Sequence, residues 1–229
     1  STVHIYNTDI RPDFDPNTDK RNPLDLVFLI DSTASMIYDI NAVKVSAADI
    51  MTKIAGTVPD FRVAVVEYRD FNQAPYGEAT DYPFLVNTEF TNSEDRVIAA
   101  INAIQVGGGG DGPESIYYAL RRVIDGTILQ GWRSGDVDRV ILLMGDAPPH
   151  DPEPLTNLTM LDIVQMASQQ PEKRIFPVQV RNDRITAAYF RNLAGATGGP
   201  MLQVTDANGV VNAILRSIVL IMMGAPSIH

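Results

Sequence analysis

Residues 25–35 read DLVFLIDSTAS: a nearly continuous apolar run that ends on an acid and passes into a D-x-T-x-S turn. An apolar run without alternation is what a strand buried on both faces of a parallel sheet requires. In an extended turn, residues two apart point the same way. Asp31, Thr33 and Ser35 can therefore present one carboxylate and two hydroxyls to a single point, roughly 6–7 Å along the chain.

Outward from that run, short apolar stretches and amphipathic stretches alternate. Residues 41–54 carry apolar side chains at 43, 47, 50, 51 and 54, the stripe of a helix. FRVAVVEYRD (61–70) reads as a second strand, and YPFLVNTEF (82–90), with its proline and charge, as an edge strand. Helices are predicted over 93–104, with Ser93 as N-cap, and over 113–124, with Pro113 in the first turn. RVILLMGDA (139–147) is a central strand, followed by a helix around 158–168, the strand RIFPVQV (174–180) and a helix near 185–193. Gly195, Gly198 and Gly199 lead to PMLQVT (200–205), and residues 208–223 form a last helix whose Val210, Val211, Ile214, Ile218, Val219 and Met222 are expected in the core.

Six strands interleaved with about six helices predict an α/β fold. It is a doubly wound, mainly parallel six-stranded sheet with one antiparallel edge strand and helices on both faces. In such sheets the ligand site lies at the carboxyl ends of the strands. The domain is expected over residues 24–224, with residues 225–229 as a tail. Residues 1–23, polar and punctuated by proline, read as an extension or linker, and the Ser1 start suggests a mature or excised segment. Asp13, Asp15, Asn17 and Asp19 alternate like the first half of an EF-hand loop. The pattern fails at Thr18, where the turn glycine belongs, and at Leu24, where the bidentate Glu belongs.

Composition narrows the chemistry. Of 229 residues, 18 are Lys or Arg and 28 are Asp or Glu, a net charge of −10 that is the wrong sign for binding nucleic acid. No cysteine is present, which removes disulfides, thiolate zinc sites and cysteine nucleophiles. Three histidines are too few for a histidine-rich metal site. The longest apolar stretch near an end covers 218–223, far short of the roughly 20 residues that membrane insertion needs. What remains is oxygen chemistry.

The predicted strand ends supply it. Asp31, Thr33 and Ser35 follow the first strand, Asp146 follows the central strand, and the loop VGGGGDGPES (106–115) carries Asp111 and Glu114 to the start of a helix. Hard oxygen donors suit Mg²⁺, Mn²⁺ or Ca²⁺. Taken singly, Asp31 reads as the N-cap of the next helix and the glycine loop as a loop. It is their conjunction, in this order on this topology, that points to a divalent cation. Enzyme readings fail on detail. GGGGDG (107–112) mimics a phosphate loop, but Pro113 and Glu114 stand at its Lys and Ser/Thr positions. Asp31 is not part of a D-x-D, no G-x-S-x-G elbow occurs, and His150 sits alone among prolines. The chain is therefore expected to be no enzyme. Asn157-Leu158-Thr159 is a lone glycosylation triplet.

At these residues the sequence resembles the von Willebrand factor A family. That family's metal-ion-dependent adhesion site uses a D-x-S/T-x-S turn, a later loop residue and an Asp after the central strand. The resemblance covers about residues 24–224, through DLVFLIDSTAS, GGGGDGPES and LLMGDAPPH. It implies a bound Mg²⁺, Mn²⁺ or Ca²⁺ that engages a carboxylate of a protein partner, as part of a larger protein. The compartment is left open, and the resemblance favours an extracellular or cell-surface setting. The alternative is a regulatory or assembly domain of a multidomain protein or ATPase complex.

Most members place a threonine on the loop. Aligning through Ala119 puts Glu114 there, and DGPES resembles the integrin β-subunit version. By that resemblance Glu114 is a ligand, and Asp111 with the Pro113 carbonyl is a second-ion or supporting group, although Gly109 stands where a further ligand belongs. Asp39 matches one acid of the integrin adjacent site, but with Tyr38 in place of its partner acid it reads as a solvated helix residue. In those relatives a shift of the last helix transmits changes at the metal. Three carboxylates around one dication are expected to hold it tightly and leave it less eager for a fourth. Exposed Tyr38, Tyr68, Arg69 and Asp70, with residues 148–151 including His150, are the expected partner-facing groups.

Overall fold

The computed structural model describes residues 2–6, 21–110, 112–126, 129 and 131–223. Along the chain come β1 (Val3–Tyr6), β2 (Leu24–Asp31), a 3-10 turn (Ala34–Met36), α1 (Ile37–Val45), α2 (Ala47–Thr57), β3 (Phe61–Tyr68), β4 (Leu85–Thr91) and α3 (Glu94–Ala103). They are followed by α4 (Ile116–Ile124), β5 (Asp138–Gly145), α5 (Met160–Ser168), β6 (Arg174–Val180), α6 (Arg184–Ala196), β7 (Met201–Val204) and α7 (Ala207–Met222).

The strands form one sheet in the order β1-β7-β6-β5-β2-β3-β4. β2 pairs in parallel with both β3 and β5, β5 with β6, and β6 with β7. β4 runs antiparallel to β3 at one edge, as its proline and charge suggest. The segment expected as an extension adds a seventh strand, β1, antiparallel to β7. Four residues are too few to show a period, yet they cover the backbone edge that β7 would otherwise expose.

β2 is buried at every position, so its two faces build two cores. Leu26, Phe28 and Ile30 pack with α1, α2, α3 and α7, whereas Val27 and Leu29 pack with α4, α5 and α6. Asp25 and Asp31 have the parity of Val27 and Leu29, so both belong to the α4 face. In α7, Val210, Ile214 and Ile218 are buried as expected, but Val219 is exposed. Among the described residues no helix is long and apolar enough to cross a membrane.

Two departures from the periodic reading matter for the site. The predicted helix over 41–54 is two helices, α1 and α2, broken at Ser46. The helix expected from Pro113 starts only at Ile116, because the Glu114 N–H donates to the Pro148 carbonyl (2.9 Å) and Glu114 bridges to Pro149. Strand order reverses between β2 and β5, since β3 lies on one side of β2 and β5 on the other. Their carboxyl ends are the switch point at which such sheets place a ligand site.

Candidate metal centre

Asp31, fully buried, closes β2. Its Oδ1 accepts hydrogen bonds from the Thr33 N–H (2.9 Å) and the Thr33 hydroxyl (2.5 Å). The Thr33 hydroxyl lies 3.4 Å from that of Ser35, and the Ser35 hydroxyl donates to Asp146 Oδ1 (3.1 Å). The turn thus gathers the three side chains that the spacing predicts, and β5 brings Asp146 to them.

Asp31 Oδ2 is buried and makes no hydrogen bond. Burial and then the nearby Asp146 charge push the Asp31 carboxyl up to about 7, against the pull of the Thr33 hydroxyl and N–H. Glu114 is in the same condition. Its Oε2 is buried without a partner, and burial, followed by the charges of Asp31, Asp70, Asp146 and Asp81, pushes its carboxyl up to about 11. A third bare atom is the hydroxyl of Tyr68, which is the register partner of Asp31 in β3. A Cβ on Gly145 would stand 2.6 Å from Tyr68 Oη and 3.3 Å from Asp31 Oδ2, so only glycine fits there. A buried polar atom without a partner costs about 1–3 kcal/mol, more when charged. Asp31 Oδ2 and Glu114 Oε2 are acceptors that a proton or a cation would satisfy, whereas the Tyr68 hydroxyl can donate as well as accept.

The glycine loop is pinned from elsewhere. The Gly109 N–H donates to both Asp81 oxygens (3.1 and 3.3 Å). With φ at +86°, a Cβ on Gly109 would lie 3.2 Å from Thr33 Cβ and 3.5 Å from Glu114 Oε1. At the position where a further ligand was expected, a side chain would be strained by the left-handed backbone and crowded against Thr33. Ser115 anchors the other end, its N–H and hydroxyl donating to the Arg69 carbonyl (3.2 and 2.5 Å). Glu114 is held between these anchors, facing the Asp31 turn.

On the far side of the turn the acids are already paired. Arg181 Nη1 donates to Asp146 Oδ2 (2.7 Å), and Nη2 to Asp39 Oδ2 (3.1 Å) and the Ser35 carbonyl (2.7 Å). Among the described residues, no three carboxylate or imidazole groups stand together as a ready metal cluster. Asp31 and Glu114 offer free oxygens, while both Asp146 oxygens are engaged. The donor set is nonetheless all hard oxygen, and its bare, buried carboxylate atoms fit a divalent cation.

Several expectations change. Tyr68, Arg69 and Asp70 are buried, at 0%, 6% and 0% exposure, and so are not the partner-facing groups expected. A fully internal strand leaves Tyr68 facing α4, and Arg69 folds inward onto the Ser32 hydroxyl (3.2 Å), the Gln105 carbonyl (2.6 Å) and the Tyr82 ring. Asp70 is tied to the Phe71 N–H (2.7 Å) and to His150 Nε2 (3.1 Å). His150 is half-buried in that pair and meets the Tyr76 ring edge-on. Asp39 is not a solvated helix acid but a buried partner of Arg181. Tyr38 is 74% exposed beside the turn and keeps the expected partner-facing position, as does exposed Asp151 of the 148–151 segment, whereas Pro149 is buried. Asp111, Asp13, Asp15, Asn17 and Asp19 lie outside the described residues. Sequence reasoning missed Asp81 and Arg181, which no local motif marks.

A family model described as von Willebrand factor A domain matches residues 25–206. The alpha-protein kinase vwkA of Dictyostelium discoideum is 26% identical over 132 residues, which is 57% of this chain and 19% of that protein. Proximal thread matrix protein 1 from the mussel byssus superposes with a TM-score of 0.62 at 11% identity, over 88% of this chain and 48% of that one. A second crystal form gives 0.60 at 12%, over 87% and 48%. The chain thus spans a minor part of each protein it matches, and at these identities the structural likeness speaks to fold alone. With the strand-end site on its doubly wound sheet and a family match across most of its length, the chain belongs to the von Willebrand factor A domain family.

Proposed function

We propose that this protein-interaction domain is divalent-cation-dependent: Asp31, Thr33, Ser35, Glu114 and Asp146 hold Mg²⁺, or Mn²⁺ or Ca²⁺ in its place, and the ion engages a carboxylate of a protein partner. The observation that carries this reading is the pair of buried, unpartnered carboxylate oxygens, Asp31 Oδ2 and Glu114 Oε2. Only a proton or a cation makes such a pair tolerable, and a dication serves both acids at once. Glu114 fills the loop position as in the integrin-like resemblance, and Asp111 is the group to examine for a second ion. In this reading the domain binds and performs no reaction. Tyr38, exposed beside Ser35, lies where a partner would touch the rim.

The 19% coverage of a kinase favours a second reading, a regulatory or assembly domain within a larger protein. The two readings share the ion and differ in whether the partner belongs to the same chain.

Isothermal titration of Mn²⁺ into the wild type and Glu114→Thr tests the ligand set. Glu114 adds a negative charge, so the wild type should bind the ion more tightly and an added carboxylate peptide more weakly than the variant. Equal ion affinities would remove Glu114 from the ligand set, and no heat in either protein would end the metal reading.

A further inference from the structure

Arg181, the residue after β6, has φ at 69°, a left-handed conformation that residues other than glycine seldom adopt. The fold bears that strain and delivers a guanidinium to the rim of the acidic site. There it joins three segments: the turn after β2 through the Ser35 carbonyl (2.7 Å), α1 through Asp39 (3.1 Å), and the end of β5 through Asp146 (2.7 Å). Four carboxylates, Asp31, Asp39, Glu114 and Asp146, surround this region, and Arg181 neutralises only the two on its own side.

The division is sharp. Asp31 Oδ2 and Glu114 Oε2 have no partner, whereas Asp146 gives Oδ1 to the Ser35 hydroxyl (3.1 Å) and Oδ2 to Arg181 (2.7 Å). An ion drawn to the bare pair meets a third ligand already held by a cation, and meets that cation's own repulsion. Arg181 is 39% exposed, so its side chain has open space into which to swing if it releases Asp146.

We propose that Arg181 is a built-in counter-cation, competing with the divalent ion for Asp146 and thereby setting the affinity of the site for metal. The inference rests on the metal reading above. It makes Arg181 a positioning residue with a definite sign, because a mere prop for Asp146 would strengthen metal binding and a competitor weakens it. In the metal-free protein the same guanidinium holds the Ser35 turn, α1 and the end of β5 together, so the metal-free state depends on it.

The test is calorimetric titration of Mn²⁺ into the wild type, Arg181→Gly and Arg181→Lys, with thermal melts of each in EDTA and in Mn²⁺. Glycine adopts the left-handed backbone without strain, so this variant loses the charge without straining the folded chain, and circular dichroism checks its fold. Arg181→Gly should bind Mn²⁺ about tenfold more tightly. It should also melt lower in EDTA and show a larger metal-induced rise. Arg181→Lys should fall between, because an ammonium keeps the charge but does not bridge as the planar fork does. Binding by Arg181→Gly alone would also support the proposal, since Arg181 then closes the wild-type site. Equal or weaker binding by Arg181→Gly overturns it while leaving the metal reading intact. Silence from all three proteins overturns both.

Discussion

Asp25, second in β2, and Asp31, which ends it, point to the same face of the sheet and are both completely buried. Their surroundings differ in one respect. Asp25 accepts hydrogen bonds from Arg62 Nε and Nη2 (2.9 and 2.6 Å), and from the Arg133 N–H and Nε (2.8 Å each). Burial pushes its carboxyl up, but those hydrogen bonds and the two guanidinium charges outweigh it, and Asp25 ends below the usual carboxylate range. No guanidinium reaches Asp31: the Thr33 hydroxyl and N–H donate to one oxygen, and burial with the Asp146 charge, outweighing these and the Asp146 backbone N–H, carries it up to about 7. A buried acid supplied with cations by the chain is a structural fixture. A buried acid left without one must keep its proton or be met by a cation, and in the proposed metal-bound state a cation meets Asp31.

The comparison breaks first at Asp25. Asp25→Asn leaves Arg62 and Arg133 without their carboxylate, and should cost about 3 kcal/mol in urea unfolding while leaving the metal response unchanged. A loss below about 1 kcal/mol would erase the contrast between the two ends. Next, divalent metal at a hundredfold excess over Kd should stabilise the wild type by about 2.7 kcal/mol, raising Tm by about 5–10 °C over EDTA. Asp31→Asn should abolish that rise, and a rise that survives would move the ion elsewhere.

Smaller still is the effect of Asp31→Asn in EDTA. Removing a charge from the acidic cluster should leave stability unchanged or raise it by about 1 kcal/mol, the opposite of Asp25→Asn. The two ends also differ in pH dependence. The folded-state values of Asp31 and Glu114 lie above their ordinary ones, so their stabilisation is complete in acid and declines as pH rises through about 7 for Asp31 and towards about 11 for Glu114. Asp25 is lowered, so its contribution is present above the ordinary carboxylate range and is lost as pH falls through its folded value. Unfolding in EDTA should therefore show lower stability at pH 8 than at pH 5.5, and saturating Mg²⁺ should flatten the difference. A metal-free protein more stable at pH 8 would mean that the bare acids are not what limits it.

Much of this was legible in the chain. DLVFLIDSTAS encodes much of its own geometry: continuous apolarity makes a two-faced strand, and Asp31, Thr33 and Ser35 do come together, although over a 3-10 turn at Ala34–Met36 rather than the extended turn the spacing suggests. The apolar runs likewise placed Asp146 at the end of β5 and so at the switch point. Tertiary structure decided the neighbours. Register set Tyr68 beside Asp31, which buried a residue that reads as loop rim in the sequence. Arg181 reaches Asp39 across 142 positions and Asp146 across 35, and no periodicity signals either contact. Sequence fixes where a side chain points through the local period of its backbone. Only the packing of distant segments fixes which charges it meets, and in a buried site those charges decide whether an acid is held as a paired anion or pushed up towards its protonated form.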